Sequence, residues 1–81
     1  MTRVSPKVVR VTPLSGYCLR VEFDSGEVRL FDVNPYLDKG IFTQLKDEEY
    51  FRQAQVAFDA VQWPNGQDFS RDTLYLEGDP A

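Results

Sequence analysis

The chain has 81 residues and a formal net charge of −4, so we expect one small domain. Hydrophobic residues make up 42% and aromatic residues 14% of the chain, which is too rich in large side chains for a disordered segment. The sequence contains no histidine and a single cysteine. It therefore excludes a histidine-based catalytic triad or dyad, an internal disulfide and a cysteine zinc site within this chain.

Charge is distributed unevenly along the chain. The first twenty residues hold Arg3, Lys7, Arg10 and Arg20 and no acid, whereas the rest holds five basic and thirteen acidic side chains. A sequence pI near 4.6 opposes non-specific nucleic-acid binding. The N-terminus has no apolar segment typical of a secretory signal, and no apolar run approaches the length of a membrane span. With the lone Cys18, these features lead us to expect a cytoplasmic protein.

Two strands open the predicted fold. The segment from Lys7 to Thr12 is short and rich in β-branched residues, which predicts a strand, and a Pro-Leu-Ser-Gly turn follows it. Apolar and polar residues then alternate from Tyr17 to Asp24, so we expect one buried and one wet face. If the loop of this first hairpin has four residues, Val8 faces the core and Val9 and Val11 do not. We therefore expect a β-bulge in the first hairpin.

Ser25-Gly26 predicts a tight two-residue hairpin loop, with Glu27 to Val33 as the return strand. This loop puts apolar partners on one face and opposite charges on the other, which makes the register specific. The predicted cross-strand pairs are Asp24 with Glu27, Phe23 with Val28, Val21 with Leu30 and Glu22 with Arg29.

Short helices are predicted after the hairpin. Residues 34–40 are predicted to form one helical turn capped by Asn34, and Ile41-Phe42 is predicted to be a buried anchor. A second short helix is capped by Asp47, with two acids in its first turn and Tyr50 and Phe51 toward the core.

The last third predicts one strand, one turn and one helix. Gln55 to Trp63 alternates as a further strand, and Trp63-Pro64-Asn65-Gly66 is a strong turn signal. Ser70 caps a final helix that ends near Leu76, with Phe69 and Leu74 as a hydrophobic staple.

These elements define an α+β fold: a three-stranded antiparallel meander followed by short helices and one further strand, with a short C-terminal helix. We expect residues 7–77 to form a single α+β domain. Residues 1–6 are expected to be a flexible N-terminal arm and residues 78–81 a flexible tail.

Nearly the whole chain resembles a known bacterial family. The resemblance is carried by Tyr17 to Glu27, Phe31-Asp32-Val33, Gly40-Ile41-Phe42, Leu45, Phe51, Trp63 to Phe69 and Leu74-Tyr75. These residues resemble the family known as domain of unknown function 2442. The resemblance implies a small cytoplasmic α+β domain of bacteria or phage without an established activity. It also implies a toxin–antitoxin-like setting, because similar proteins are encoded beside a second small protein, and some carry an added DNA-binding domain.

The segment Trp63 to Asp68 is the first candidate site. One interpretation is structural, because each residue type suits a turn: proline fixes φ, Asn65-Gly66 reverses the chain and Asp68 can cap backbone N–H groups. As a recognition loop, Trp63, Asn65 and Asp68 would offer an aromatic plate, an amide and a carboxylate, with Tyr75 as a nearby amphipathic contact.

Other residues permit weaker hypotheses. Asp59, Asp68 and Asp72 could perform acid–base work or hold Mg²⁺, but no phosphate-binding loop or basic clamp accompanies them. Asp32 is expected to cap the turn that follows it, and Cys18 lacks the resolving cysteine that a redox role requires.

We therefore expect no enzyme, no metal and no cofactor. The favoured interpretation is a non-catalytic protein–protein interaction or regulatory module that binds a protein partner or itself. The exposed edge of a three-stranded meander favours it, since an edge strand can pair with another chain. The alternative is a nucleic-acid-binding accessory protein that uses Lys7, Arg10 and Arg20 of the basic N-terminal strand.

Overall fold

The computed structural model describes residues 5–81, so Arg3 and most of the predicted N-terminal arm lie outside the described residues. Strands β1 (Val8–Leu14), β2 (Cys18–Phe23) and β3 (Val28–Asp32) form the predicted antiparallel meander. The register of β1 against β2 shifts between Val8 and Arg10, which confirms the predicted bulge. Val8 thereby turns into the core, while Val9 stays 57% exposed.

The hairpin between β2 and β3 differs from the prediction by one residue. Phe23 N–H donates to the Glu27 carbonyl at 2.9 Å, so the loop has three residues, Asp24-Ser25-Gly26. A two-residue type I′ turn needs positive φ at both central positions, but of the loop residues only Gly26 has it, at 89°. Arg29 therefore pairs with Val21 on the inner face, and Glu22 pairs with Val28 on the outer face.

The helices begin largely where the sequence places them. Asp47 accepts a hydrogen bond from Glu49 N–H and caps α1 (Glu48–Phe51). Ser70 accepts one from Thr73 N–H and caps α2 (Arg71–Glu77). Both confirm predictions.

Two short 3-10 helices, Asn34–Tyr36 and Gly40–Lys46, precede α1. Asp32, rather than Asn34, supplies the side-chain acceptor for the first, since its Oδ1 lies 3.0 Å from Asn34 N. In the second, the prediction of a buried Ile41-Phe42 anchor is wrong for Ile41, which is 62% exposed, whereas Phe42 packs against the core.

The predicted strand from Gln55 to Trp63 is a hairpin. It divides into β4 (Gln55–Ala57) and β5 (Ala60–Gln62), joined by a turn at Phe58 and Asp59. Both turn residues have positive φ, 51° and 64°, which reverses the chain as in a type I′ turn. Strand β6 (Asp68–Phe69) pairs with β5 and completes a second sheet in the order β4-β5-β6.

Residues 78–81, predicted as a flexible tail, pair with the first sheet. Strand β7 (Asp79–Pro80) lies beside β3, and the sheet order is β1-β2-β3-β7. Ala81 N–H also donates to the Val28 carbonyl at 3.1 Å. The free meander edge expected from the sequence is thus covered along β3, while β1 carries Pro13 and the bulge, both of which discourage edge pairing.

The core lies between the inner face of the first sheet and the layer formed by the second sheet and the helices. It is built from buried apolar side chains, including Leu19, Val21, Phe23, Phe31, Phe51, Val61, Trp63, Phe69 and Leu74. No helix within residues 5–81 is long and apolar enough to cross a membrane.

Candidate interaction surface

Trp63 is part of the core rather than of a recognition surface. Its side chain is 1% exposed, and its ring lies within 6.0 Å of the rings of Phe51 and Phe69. The indole Nε1–H donates to the Phe51 carbonyl at 2.8 Å, which satisfies the one polar group of the ring. The aromatic plate predicted for the loop is therefore not available to a partner.

The polar groups of the same loop are occupied inside the molecule. Gln67 is 2% exposed, and its Oε1 accepts from the Tyr50 hydroxyl at 2.6 Å. Its Nε2 donates to the Ile41 carbonyl at 2.9 Å and to Gln44 Oε1 at 3.1 Å. The Asn65 amide donates to the same Gln44 oxygen at 2.9 Å. This network fixes the loop against the second 3-10 helix and α1, and it leaves Asp68 exposed on β6.

Tyr75 lies elsewhere, on the inner face of the first sheet. The guanidinium carbon of Arg29 is 3.9 Å from the centre of its ring, so a cation–π contact covers the arginine that the shifted register turns inward. The Tyr75 hydroxyl donates to Glu27 Oε1 at 2.8 Å. This hydrogen bond lowers the pKa of Glu27, and the hydrogen bond from Arg29 lowers it further by a smaller amount. Tyr75 thus holds α2 onto β3 and is not grouped with the Trp63 loop.

The basic residues of the first strands do not form an unpaired patch. Arg20 lies 3.0 Å and Arg10 3.7 Å from the same oxygen of Glu22 on the outer face. Lys7 is exposed, and its backbone N–H donates to Asp24 Oδ1 at 3.1 Å. Because one carboxylate serves both arginines, this face offers phosphate groups less positive charge than the sequence predicts.

The remaining candidates are structural or isolated. Burial raises the pKa of the Cys18 thiol, which lowers its reactivity at neutral pH. Asp68 and Asp72 are both exposed, the first on β6 and the second in the first turn of α2. Within residues 5–81, no three His, Cys, Asp or Glu side chains are grouped in a way that could hold a metal ion.

The structure instead draws attention to Phe58, which sequence reasoning placed inside a strand. Phe58 is 95% exposed and occupies the left-handed region with φ of 51°. That conformation costs an L-residue about 1–2 kcal/mol, and a bulky side chain there is an outlier. The ring makes no described aromatic contact that would offset this cost.

Tyr17 provides the internal comparison. It too has a positive φ, of 60°, but its ring packs edge-on against Phe51 at 5.5 Å and its hydroxyl donates to the Lys46 carbonyl. Strain at Tyr17 is therefore offset by packing, whereas strain at Phe58 is not. The turn requires the positive φ at Phe58 but not the bulky ring, and strained residues of this kind cluster at functional sites.

Two further exposed apolar residues lie on the strands that adjoin this turn. The Val8 N–H donates to the Asp59 carbonyl at 3.1 Å, which joins the tip to the start of β1. Val9 follows on β1 and is 57% exposed, and Val56 on β4 is 37% exposed. We call Phe58, Val56 and Val9 the tip patch. The turn signal was present in the sequence as Asp59, a residue that tolerates positive φ, but the preceding phenylalanine concealed it.

The fold and this surface define a small α+β domain in which Phe58, on a hairpin turn, is the most exposed large apolar side chain of residues 5–81. The chain belongs to the family described as Protein of unknown function (DUF2442), whose model matches residues 8–80. No curated protein and no solved structure gives a significant match to the chain.

Proposed function

We propose that this domain is a non-catalytic protein-interaction module that contacts its partner through the tip patch. The observation that carries the proposal is the 95% exposure of Phe58 in a left-handed backbone conformation. Such a ring weakens the isolated fold, and its burial against a partner would recover apolar area. Aromatic side chains, phenylalanine among them, are enriched in protein interfaces.

The proposed contact surface is the hairpin tip, and not the strand edge that the sequence favours. In the first sheet, β7 pairs with Arg29 and Leu30 of β3, and the opposite edge strand β1 carries a bulge and Pro13, which discourage edge pairing. Recognition by strand addition therefore has less support than recognition by an aromatic anchor. The nucleic-acid alternative also has less support, because Glu22 pairs with both Arg10 and Arg20.

Site-specific photo-crosslinking in cells of the native host tests the proposal. A photoreactive phenylalanine analogue replaces Phe58 in one variant and Leu76 in a matched control. Leu76 is 75% exposed on α2, so it reports contacts of an exposed apolar side chain elsewhere on the molecule. We expect a discrete crosslinked product from position 58 that position 76 does not give.

The masses of the products decide the outcome. A discrete product specific to position 58 supports an interface at the tip, and its mass distinguishes a second copy from a different protein. Equal products from both positions, or none from position 58, would overturn the proposed function.

A further inference from the structure

We infer that Asn65-Gly66, in the loop between β5 and β6, is a deamidation site whose reactivity the folded loop controls. The inference is independent of the proposed function, because it concerns this loop and not the tip patch. In the reaction, the Gly66 backbone nitrogen loses its proton and attacks Asn65 Cγ. The new C–N bond closes a succinimide ring, and the side-chain amide takes up a proton and leaves as ammonia. Water then opens the ring at either carbonyl, which gives aspartate or isoaspartate.

The chain permits this chemistry at one of its two asparagines, Asn34 and Asn65. Pro35 follows Asn34, and its nitrogen carries no hydrogen, so it cannot close a neutral ring. Gly66 follows Asn65 and has no side chain to hinder the attack. Asn65 and Gly66 are both exposed, so water reaches the site. Deamidation of asparagine is therefore confined to Asn65.

The folded backbone holds the two reacting groups apart. Gly66 N–H donates to the Trp63 carbonyl at 3.1 Å, which closes a turn with Pro64 at its second position. Asn65 does not have a positive φ, so the turn is of type I and Asn65 has a ψ of about 0°. At that angle the Gly66 nitrogen eclipses Asn65 N, whereas ring closure requires it to eclipse Asn65 Cβ. The backbone must therefore leave the turn before the ring can form.

Hydrogen bonds add to this protection. The bond from Gly66 N–H to the Trp63 carbonyl opposes loss of the proton that the attacking nitrogen must give up. Asn65 Nδ2 donates to Gln44 Oε1 at 2.9 Å, which fixes the side-chain amide against the second 3-10 helix. Asn65 N–H donates to the Tyr50 hydroxyl at 2.8 Å. Reaction therefore requires the loop to open, and it is not a property of the exposed surface alone.

The product cannot rebuild the same network. Gln44 Oε1 accepts from Asn65 and, at 3.1 Å, from Gln67 Nε2. An ionised aspartate at position 65 has no hydrogen to donate and brings a carboxylate next to this oxygen. Rotation of the Gln44 amide would serve the carboxylate but would turn its NH₂ group toward that of Gln67. Isoaspartate adds a methylene to the backbone inside the turn. Each opening that ends in reaction is thus recorded as a permanent covalent change.

Peptide mass spectrometry of aged protein tests the inference. Wild type is incubated at mildly alkaline pH, in buffer and in guanidinium chloride, and the replacement of –NH₂ by –OH is followed in the peptide that contains Asn65. We expect Asn65 to react at least about tenfold more slowly in the folded protein than in the unfolded chain. Equal rates in the two solutions, or no reaction at Asn65 in the unfolded chain, would overturn the inference.

Two variants separate opening of the loop from unfolding of the whole domain. Gln44→Ala removes, from an exposed position, the acceptor of the Asn65 amide. Tyr75→Phe is the matched control, because it removes one hydroxyl hydrogen bond, to Glu27 Oε1, outside the loop. In buffer we expect Gln44→Ala to react about two- to tenfold faster than wild type, and Tyr75→Phe to react at the wild-type rate. Equal rates for the two variants, fast or slow, would overturn control by the loop.

The effect of the product is measured with Asn65→Asp. We expect this variant to unfold at a lower guanidinium chloride concentration than wild type, because Gln44 Oε1 loses a donor and gains a carboxylate neighbour. A midpoint equal to or above that of wild type would show that the network accommodates the product, and would overturn the lasting effect inferred for the reaction.

Discussion

Replacing Phe58 by asparagine is expected to stabilise the isolated domain. A left-handed backbone costs an L-residue about 1–2 kcal/mol, and asparagine pays less of this cost than phenylalanine does. The side chain is 95% exposed, so the substitution forfeits burial of only about 10 Å², or about 0.3 kcal/mol. The net gain is about 1 kcal/mol, which raises the Tm of a domain of this size by about 4–8 °C.

The measurement is thermal unfolding followed by circular dichroism at about 5 μM protein, a dilution that keeps self-association from adding stability. Tyr17→Asn is the matched control, because Tyr17 has the same backbone strain but packs against Phe51. This control should lose about 2–4 kcal/mol through its lost ring contacts. A Tm for Phe58→Asn at or below that of wild type would show that Phe58 is unstrained or packed, and would refute the reasoning.

Three further predictions concern other parts of the fold. Gln67→Leu should lower the free energy of unfolding by about 1–3 kcal/mol in urea titration, because it leaves the Tyr50 hydroxyl without its buried acceptor; a loss below about 0.5 kcal/mol would contradict the role of this network. Glu27 has a lowered pKa in the folded protein through its Tyr75 hydrogen bond, so its stabilisation is present above its unfolded-state pKa and is lost as the pH falls through the folded value. Glu27→Gln should therefore make the acid-side fall of Tm shallower than in wild type, and parallel pH profiles would count against the contact. Burial raises the pKa of Cys18, so alkylation near pH 8 should be slower in the folded protein than in urea, whereas equal rates would show an accessible thiolate.

Local sequence signals predicted the elements whose structure depends on neighbouring residues. The alternation in β2 identified Leu19, Val21 and Phe23 as core residues, and all three are buried. The capping residues Asp47 and Ser70 accept the predicted backbone hydrogen bonds at the starts of α1 and α2. In each case a side chain and a backbone group a few residues apart fix the geometry, so the sequence contains the needed information.

The errors arose where a distant contact or an unusual backbone decides the structure. Arg29 on the inner face is covered by Tyr75 and donates to the Gly78 carbonyl, both far along the chain. The strand β7 forms only because residues 79 and 80 return to β3. At Phe58 the side chain contradicts the turn, and propensity alone favours a continuous strand. The candidate site therefore lies where local sequence and backbone conformation disagree, which is where functional residues are expected.

Trp63, the single tryptophan of the chain, also gives the protein a built-in optical reporter. Its indole is shielded from water and bonded to the Phe51 carbonyl, so native fluorescence should be blue-shifted and resistant to iodide quenching. Unfolding brings the same ring into water and shifts the emission to the red. Because the ring lies in the core, while Phe58 stands in solvent on the hairpin turn, the emission wavelength should follow folding and stay nearly constant when the tip patch is occupied. The emission of an unlabelled sample therefore reports loss of structure alone, without interference from binding at the tip patch.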